Sequence, residues 1–209
     1  MAATQVPLDV EGVRRFHGHS CPGLSIGIRV AEIALREIGP HSGDEEVICI
    51  AETDNCALDA IQYFTGCTAG KGNLLHYDYG KNVFTFIRRS DGKAIRIAAR
   101  PRQQRRSDPR EHEIFDRMRA DQPVSDKDRR YFQQSREARI QEILEAPLEE
   151  LFEVRRVEID MPDKAQILAS VVCTECGEAT MATRVRTFRG EPYCIPCFEA
   201  LTLEPAASH

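Results

Sequence analysis

Four cysteines near the end of this 209-residue chain have the type and spacing of zinc ligands. Cys173 and Cys176 form one C-x-x-C pair, Cys194 and Cys197 form a second, and seventeen residues, 177–193, separate the pairs. Two such knuckles commonly share one tetrahedral Zn²⁺. The second pair leads into 198–203, a predicted short helix, and a knuckle followed by ligands on a helix is typical of a treble clef or a related ribbon.

Four thiolates close the coordination sphere of zinc, so this finger is expected to hold its own fold rather than to perform chemistry. The functional question therefore moves to the rest of the chain.

A second group of possible metal ligands lies near the start of the chain. His17, His19 and Cys21 alternate, so in an extended segment their side chains would leave one face and converge on one ion. Pro22 suits the first turn of a helix, which would place Cys21 at a helix N-terminus, where a thiolate is stabilised. Cys56 is predicted to lie in the first turn of a second helix. We therefore expect a core site that holds Zn²⁺ or another thiophilic divalent ion on His17, His19, Cys21 and Cys56.

A glycine-rich segment, 65–74, follows that second helix. Its glycines permit unusual backbone angles, and Cys67 and Lys71 offer a thiol and a positive charge. The spacing is not that of a P-loop, and a structural turn explains the segment as well as an anion- or substrate-binding loop does. The nearby Asp59 could orient a ligand histidine or move a proton. The candidate catalytic residues are Cys56, Cys67, Lys71 and Asp59.

These side chains must be positioned by a mixture of helices and strands. Hydrophobic patterning and the positions of glycine and proline predict helices at 24–38, 55–64, 109–120 and 125–145. They predict strands at 47–51, 82–89, 93–99 and 151–159. Asp54 is expected to cap the second helix, Gly66 to end it, and Asp91-Gly92 to make a tight hairpin turn.

The order of these elements predicts an α+β fold, with a mixed or antiparallel sheet core and helices, rather than regular βαβ winding. We expect two domains, a core at 1–168 and the zinc finger at 169–209. Cys49 falls within an apolar strand and is expected to be a core residue.

The composition is that of an ordinary globular protein, with 42% hydrophobic and 29% charged residues. No secretory signal and no run of membrane-spanning length is visible, so no membrane association is expected. Eight cysteines without such a signal favour reduced thiols and a cytoplasmic location. The net charge of −5 makes nucleic-acid binding unlikely as a main function.

Three segments of the chain together resemble the FmdE family of formylmethanofuran dehydrogenase subunits. They are Phe16–Gly23, Glu52–Gln62 and Thr65–Leu74, and the resemblance extends over about 10–160. Some members also carry a C-terminal treble-clef finger, which matches 173–197. The resemblance implies an α+β core, a homodimer and a metal-binding pocket built from the histidine and cysteine motifs. It also implies association with a molybdenum or tungsten enzyme as its partner.

Three functions are consistent with these residues. The leading one is a metal-binding accessory protein for a molybdenum- or tungsten-dependent oxidoreductase, with Cys67 and Lys71 lining the pocket. The second is a free-standing enzyme that uses a low-pKa thiolate, Cys56 or Cys21, with a histidine base. The third is a zinc-finger regulator or scaffold. The sequence does not decide whether the protein is an enzyme.

Overall fold

The structure is a computed structural model that describes residues 8–101 and 108–203. The chain divides into two compact units, of which the first ends at Lys164 and the second begins at Ala165. Each unit has its own strands and helices.

The first unit is built on one five-stranded sheet. Its strands are β1 (Val47–Ala51), β2 (Leu74–His76), β3 (Val83–Arg88), β4 (Ala94–Ala99) and β5 (Phe152–Arg156). Their order across the sheet is β2-β1-β3-β4-β5. β2 runs parallel to β1, and the other neighbours are antiparallel. The sheet is therefore mixed, as predicted.

Helices complete the first unit. They are α1 (Val10–His17), α2 (Pro22–Glu37), α3 (Ala57–Thr65), α4 (Pro109–Arg119), α5 (Asp126–Glu145) and α6 (Leu148–Leu151). β1 is buried along its whole length, and its Val-Ile-Cys-Ile-Ala sequence is typical of a central strand. The core around it includes Ile61, Phe84, Phe86 and Phe152. Burial of this apolar surface is the main stabilising term for the unit.

Several local predictions are confirmed. Pro22 lies in the first turn of α2, and Gly66 ends α3 in the left-handed conformation with φ 70°. β3 and β4 form the expected hairpin. Their connection, 89–93, is longer than the predicted two-residue turn, although Gly92 has the expected positive φ of 70°.

Other local predictions are wrong. The residues before His17 form α1, whose start is capped by the Asp9 carboxylate, so His17 ends a helix instead of lying in an extended segment. β2 was not predicted, and it begins at Leu74, the last residue of the glycine-rich segment. The strand predicted at 151–159 is only Phe152–Arg156, because α6 ends at Leu151 and the pairing with β4 ends at Arg156.

The second unit consists of short elements. Its described elements are β6 (Ser170–Val172), β7 (Ala179–Met181), a 3₁₀ turn (Ala182–Arg184), β8 (Val185–Phe188), β9 (Glu191–Cys194) and α7 (Ile195–Leu203). β6 pairs with β7, and β8 pairs with β9, both antiparallel. The first cysteine pair lies in the turn between β6 and β7, and the second lies at the junction of β9 and α7. A knuckle is thus followed by ligands at the start of a helix, as predicted for the finger, with the β8–β9 hairpin between them.

Among the helices within 8–101 and 108–203, we find none with the length and apolar character that crossing a bilayer requires.

Candidate metal centres

The finger brings its four cysteine sulfurs together. The four Sγ atoms all lie within 4.8 Å of one another. The Cys194 N–H donates to the Cys173 sulfur at 3.3 Å. Hydrogen bonds from the backbone N–H groups of Cys176 and Cys194 lower the pKa of the Cys173 thiol to about 6. Four sulfur donors in a closed group fit one tetrahedral Zn²⁺.

The first unit brings together the four predicted core ligands. One donor atom from each of His17, His19, Cys21 and Cys56 lies within 4.8 Å of the others. The predicted set is found as one cluster, but it is not formed by the expected extended segment. The ends of three helices bring the residues together, because α1 ends at His17 while α2 and α3 begin directly after Cys21 and Cys56.

Cys21 and Cys56 precede their helices in different ways. Cys21 caps α2, and its sulfur accepts the Leu24 N–H at 3.3 Å. Cys56 makes no side-chain cap bond, because the Asn55 Oδ1 accepts the Ala57 N–H at 2.9 Å instead. The Cys56 sulfur is therefore left to face the cluster. Burial, together with the neighbouring Cys21 thiol, raises the pKa of Cys56.

His17 is held in one orientation by a carboxylate. Its Nδ1 lies 2.6 Å from Asp59 Oδ2, and its Nε2 lies 3.8 Å from the Cys21 sulfur. The Asp59 carboxylate is thus bonded to Nδ1, which faces away from the cluster, and Nε2 is free to bind an ion. Histidine ligands usually have such a partner, which fixes the tautomer and the ring. The position of Asp59 fits the orienting role that the sequence suggested for it.

Cys67 and Lys71 are not members of this cluster. The Cys67 side chain is buried in the core, its thiol donates to the Val47 carbonyl, and burial raises its pKa to about 11. The Lys71 Nζ donates to the Ser42 carbonyl at 2.8 Å. Buried Asn73 ties the same segment to neighbouring backbone carbonyls. These contacts favour the structural turn and argue against Cys67 and Lys71 as pocket residues.

The comparisons with known proteins give the family. The model described as "FmdE, Molybdenum formylmethanofuran dehydrogenase operon" matches residues 16–153. The chain belongs to the FmdE family. The model of the prokaryotic dksA/traR C4-type zinc finger matches residues 167–202, so this FmdE chain carries a C4-type finger after its core.

Two individual proteins are similar to this FmdE chain. A "Probable S-adenosyl-L-methionine-binding protein" of Archaeoglobus fulgidus is 34% identical over an alignment of 190 residues that covers 88% of this chain and 50% of that protein. The chain thus spans about half the length of this curated relative. The solved structure of a tungsten formylmethanofuran dehydrogenase FmdE-like protein from Syntrophus aciditrophicus matches with a TM-score of 0.58. That match has 24% identity, covers 94% of this chain and 92% of the other, and shows the shared fold.

Sequence reasoning missed one residue that shapes the FmdE site. Asp54 was the predicted cap of the second helix, whereas the N-cap position is Cys56 and the Asn55 Oδ1 accepts the Ala57 N–H. The Asn55 amide also donates to Asn82 Oδ1 at 2.5 Å. Asparagine commonly bonds the backbone two residues further on. The signal was therefore present, but the predicted helix began at 55, two residues too early to use it.

Proposed function

We propose that this FmdE chain is a metal-binding accessory protein whose core holds one Zn²⁺ or another thiophilic divalent ion. The proposed ligands are His17, His19, Cys21 and Cys56. The observation that carries the proposal is the convergence of their four donor atoms within 4.8 Å at three helix ends. Two imidazoles and two thiolates suit tetrahedral zinc. The carboxylate on the outer nitrogen of His17 adds support, since metal-bound histidines commonly have one.

The proposed setting is a molybdenum- or tungsten-dependent oxidoreductase, which the chain would serve as subunit, maturation factor or metal carrier in the cytoplasm. The support is the family description, which names a molybdenum formylmethanofuran dehydrogenase operon. We propose that the working form is a homodimer. Light scattering on the purified chain tests the dimer, and co-purification with the molybdenum or tungsten enzyme tests the partner.

Element-resolved metal analysis tests the core site. The purified full chain is expected to contain about two divalent ions, one for each cluster of four ligands. A Cys21→Ser/Cys56→Ser variant should contain about one, held by the finger. Replacing the four finger cysteines by serine should leave about one ion in the core. Equal metal content in the wild type and the Cys21→Ser/Cys56→Ser variant would show that the core site does not exist.

The alternative of a free catalytic thiolate makes a different prediction. A metal-bound Cys56 should resist alkylation near neutral pH until a chelator is added, whereas a free low-pKa thiolate should react quickly without one. The raised pKa of Cys56 argues against a free low-pKa thiolate at this position. The regulator alternative predicts tight, salt-dependent retention of DNA or RNA by the purified chain.

A further inference from the structure

The two histidines of the core cluster are held very differently. His17 is the last residue of α1, 9% of its side chain is exposed, and its Nδ1 is bonded to Asp59. His19 is exposed. Within the described residues we find no hydrogen bond to the His19 ring, and the centroid of this ring lies 4.4 Å from that of His17. One imidazole is fixed and the other is not.

The backbone around His19 also leaves it room. Gly18 has a φ of 89°, and nothing lies within 4 Å of the position that a Cβ there would occupy. Gly18, His19 and Ser20 are all exposed. The ring can therefore rotate away without displacing packed side chains. His17, Cys21 and Cys56, in contrast, are anchored at the ends of three helices.

We infer that His19 is an exchangeable ligand, and that the fourth position of the core site accepts a thiolate from outside the chain. The inference rests on the proposed core metal site. Three fixed protein ligands with one open position distinguish zinc sites that act on other molecules from closed structural sites. The two clusters of this chain would then differ in kind, since the finger has four thiolates and no exchangeable donor.

The charge around His19 selects the kind of donor. An ion of charge +2 with two thiolates and two neutral imidazoles is formally neutral, so it can accept an anion in place of His19. The guanidinium of Arg136 donates to the Ser20 carbonyl at 3.2 Å, which brings a positive charge next to this position. The Asp59 carboxylate is bonded to Nδ1 of His17, the ring nitrogen that faces away from the cluster. A thiolate is anionic and soft, and thiophilic ions prefer it to an oxygen donor.

Two histidine variants test the inference. His17→Ala should lose the core ion, whereas His19→Ala should keep it and release it to a chelator at least about 10-fold faster than the wild type. The finger ion and the thermal melt report whether each variant is folded. A wild type without core metal overturns the proposed function. If the wild type contains the core metal but His19→Ala has lost it as completely as His17→Ala, the inference of an exchangeable ligand is wrong, while the proposed core site is not affected.

A spectroscopic test uses the unmodified chain. Cobalt replaces zinc in both sites, and 2-mercaptoethanol is then added. The thiolate-to-cobalt absorbance of the core should rise by about half, because its thiolates increase from two to three. The Cys21→Ser/Cys56→Ser variant isolates the finger and should show no change. A core absorbance that does not respond, with the cobalt still bound on gel filtration, contradicts the inference.

A second arm of this titration separates the two sources of a thiolate. A short peptide with one cysteine replaces 2-mercaptoethanol under the same conditions. Saturation by the peptide at the lower concentration points to a cysteine of a partner protein, and saturation by 2-mercaptoethanol at the lower concentration points to a small-molecule thiol. Both results support the exchangeable position. The absence of any response to either thiol overturns it.

Discussion

At the scale of single residues, the bond between His17 Nδ1 and Asp59 Oδ2 has the clearest chemical consequence. A carboxylate at 2.6 Å from Nδ1 keeps the proton on that nitrogen, so the lone pair of Nε2 points into the cluster. The same bond restrains rotation of the ring. Asp59 acts on a metal only through His17, so it is a positioning residue.

Changing Asp59 should therefore weaken the core site without removing a ligand. We expect Asp59→Ala to lower the core metal affinity by about 10- to 100-fold, and Asp59→Asn to lower it less, because the amide oxygen still accepts the Nδ1 proton. Competition with a chromogenic chelator measures the affinity. The control is Asp54→Asn, which changes an exposed carboxylate five residues earlier, in the connection that precedes α3. Unchanged affinity in Asp59→Ala would remove the positioning role.

The ligands could be predicted from sequence because their signals are local. A C-x-x-C pair or a His-x-His-x-Cys run places donor atoms a few residues apart, so the spacing itself carries the chemistry. The role of Cys67 could not be predicted in this way. Its burial depends on the packing of its loop against β1, which is far away in sequence.

At the scale of elements, α2 and α3 pack unusually closely. A Cβ added at Gly27 would lie 2.4 Å from the Ala57 carbonyl oxygen and 2.7 Å from its Cα, and both of these are backbone atoms. Only glycine therefore permits this approach. Cys21 and Cys56 precede these two helices, so the distance between the helices determines the distance between the two thiolates.

The Gly27→Ala variant tests this coupling. The added methyl group must push α3 away, so we expect the free energy of unfolding to fall by about 1–3 kcal/mol. We also expect a lower core metal affinity and an unchanged finger ion. Urea unfolding and metal analysis measure the two effects. Gly70→Ala is the matched control, because nothing lies within 4 Å of its Cβ position. If Gly27→Ala is destabilised but keeps the full metal affinity of the core site, the close packing of α2 and α3 does not determine the geometry of that site.

The elements that sequence predicted are those with local or strongly apolar patterns. β3 and β4 are neighbours in sequence, and α2 has a long buried face. β2 was missed because its three residues form a strand only by pairing with the distant β1. α1 was not predicted, although its sequence carries helix signals: Asp9 suits the N-cap, and Val10, Val13 and Phe16 recur at helical spacing.

At the scale of the whole molecule, the two units are stabilised by different means. The first has a core of fully buried aromatic and aliphatic side chains around its sheet, among them Phe84, Phe86 and Ile97. In the described part of the second unit the buried residues are Cys173 and Cys194, both members of the sulfur cluster. A unit that buries little besides its metal ligands must obtain its folding free energy from the ion.

Metal removal should therefore unfold one unit and spare the other. After a strong chelator has taken both ions, we expect amide exchange in 165–203 to reach the unfolded rate, while β1, β3 and β4 stay protected. The physical reason is that structural zinc contributes about 10–16 kcal/mol of apparent binding free energy to small fingers, whereas the sheet is stabilised by apolar burial. Hydrogen exchange with mass spectrometry measures both units in one sample. Adding back Zn²⁺ should restore protection in the finger, which excludes damage by the chelator. Protection of 165–203 that survives complete metal removal would show that the finger folds without its ion.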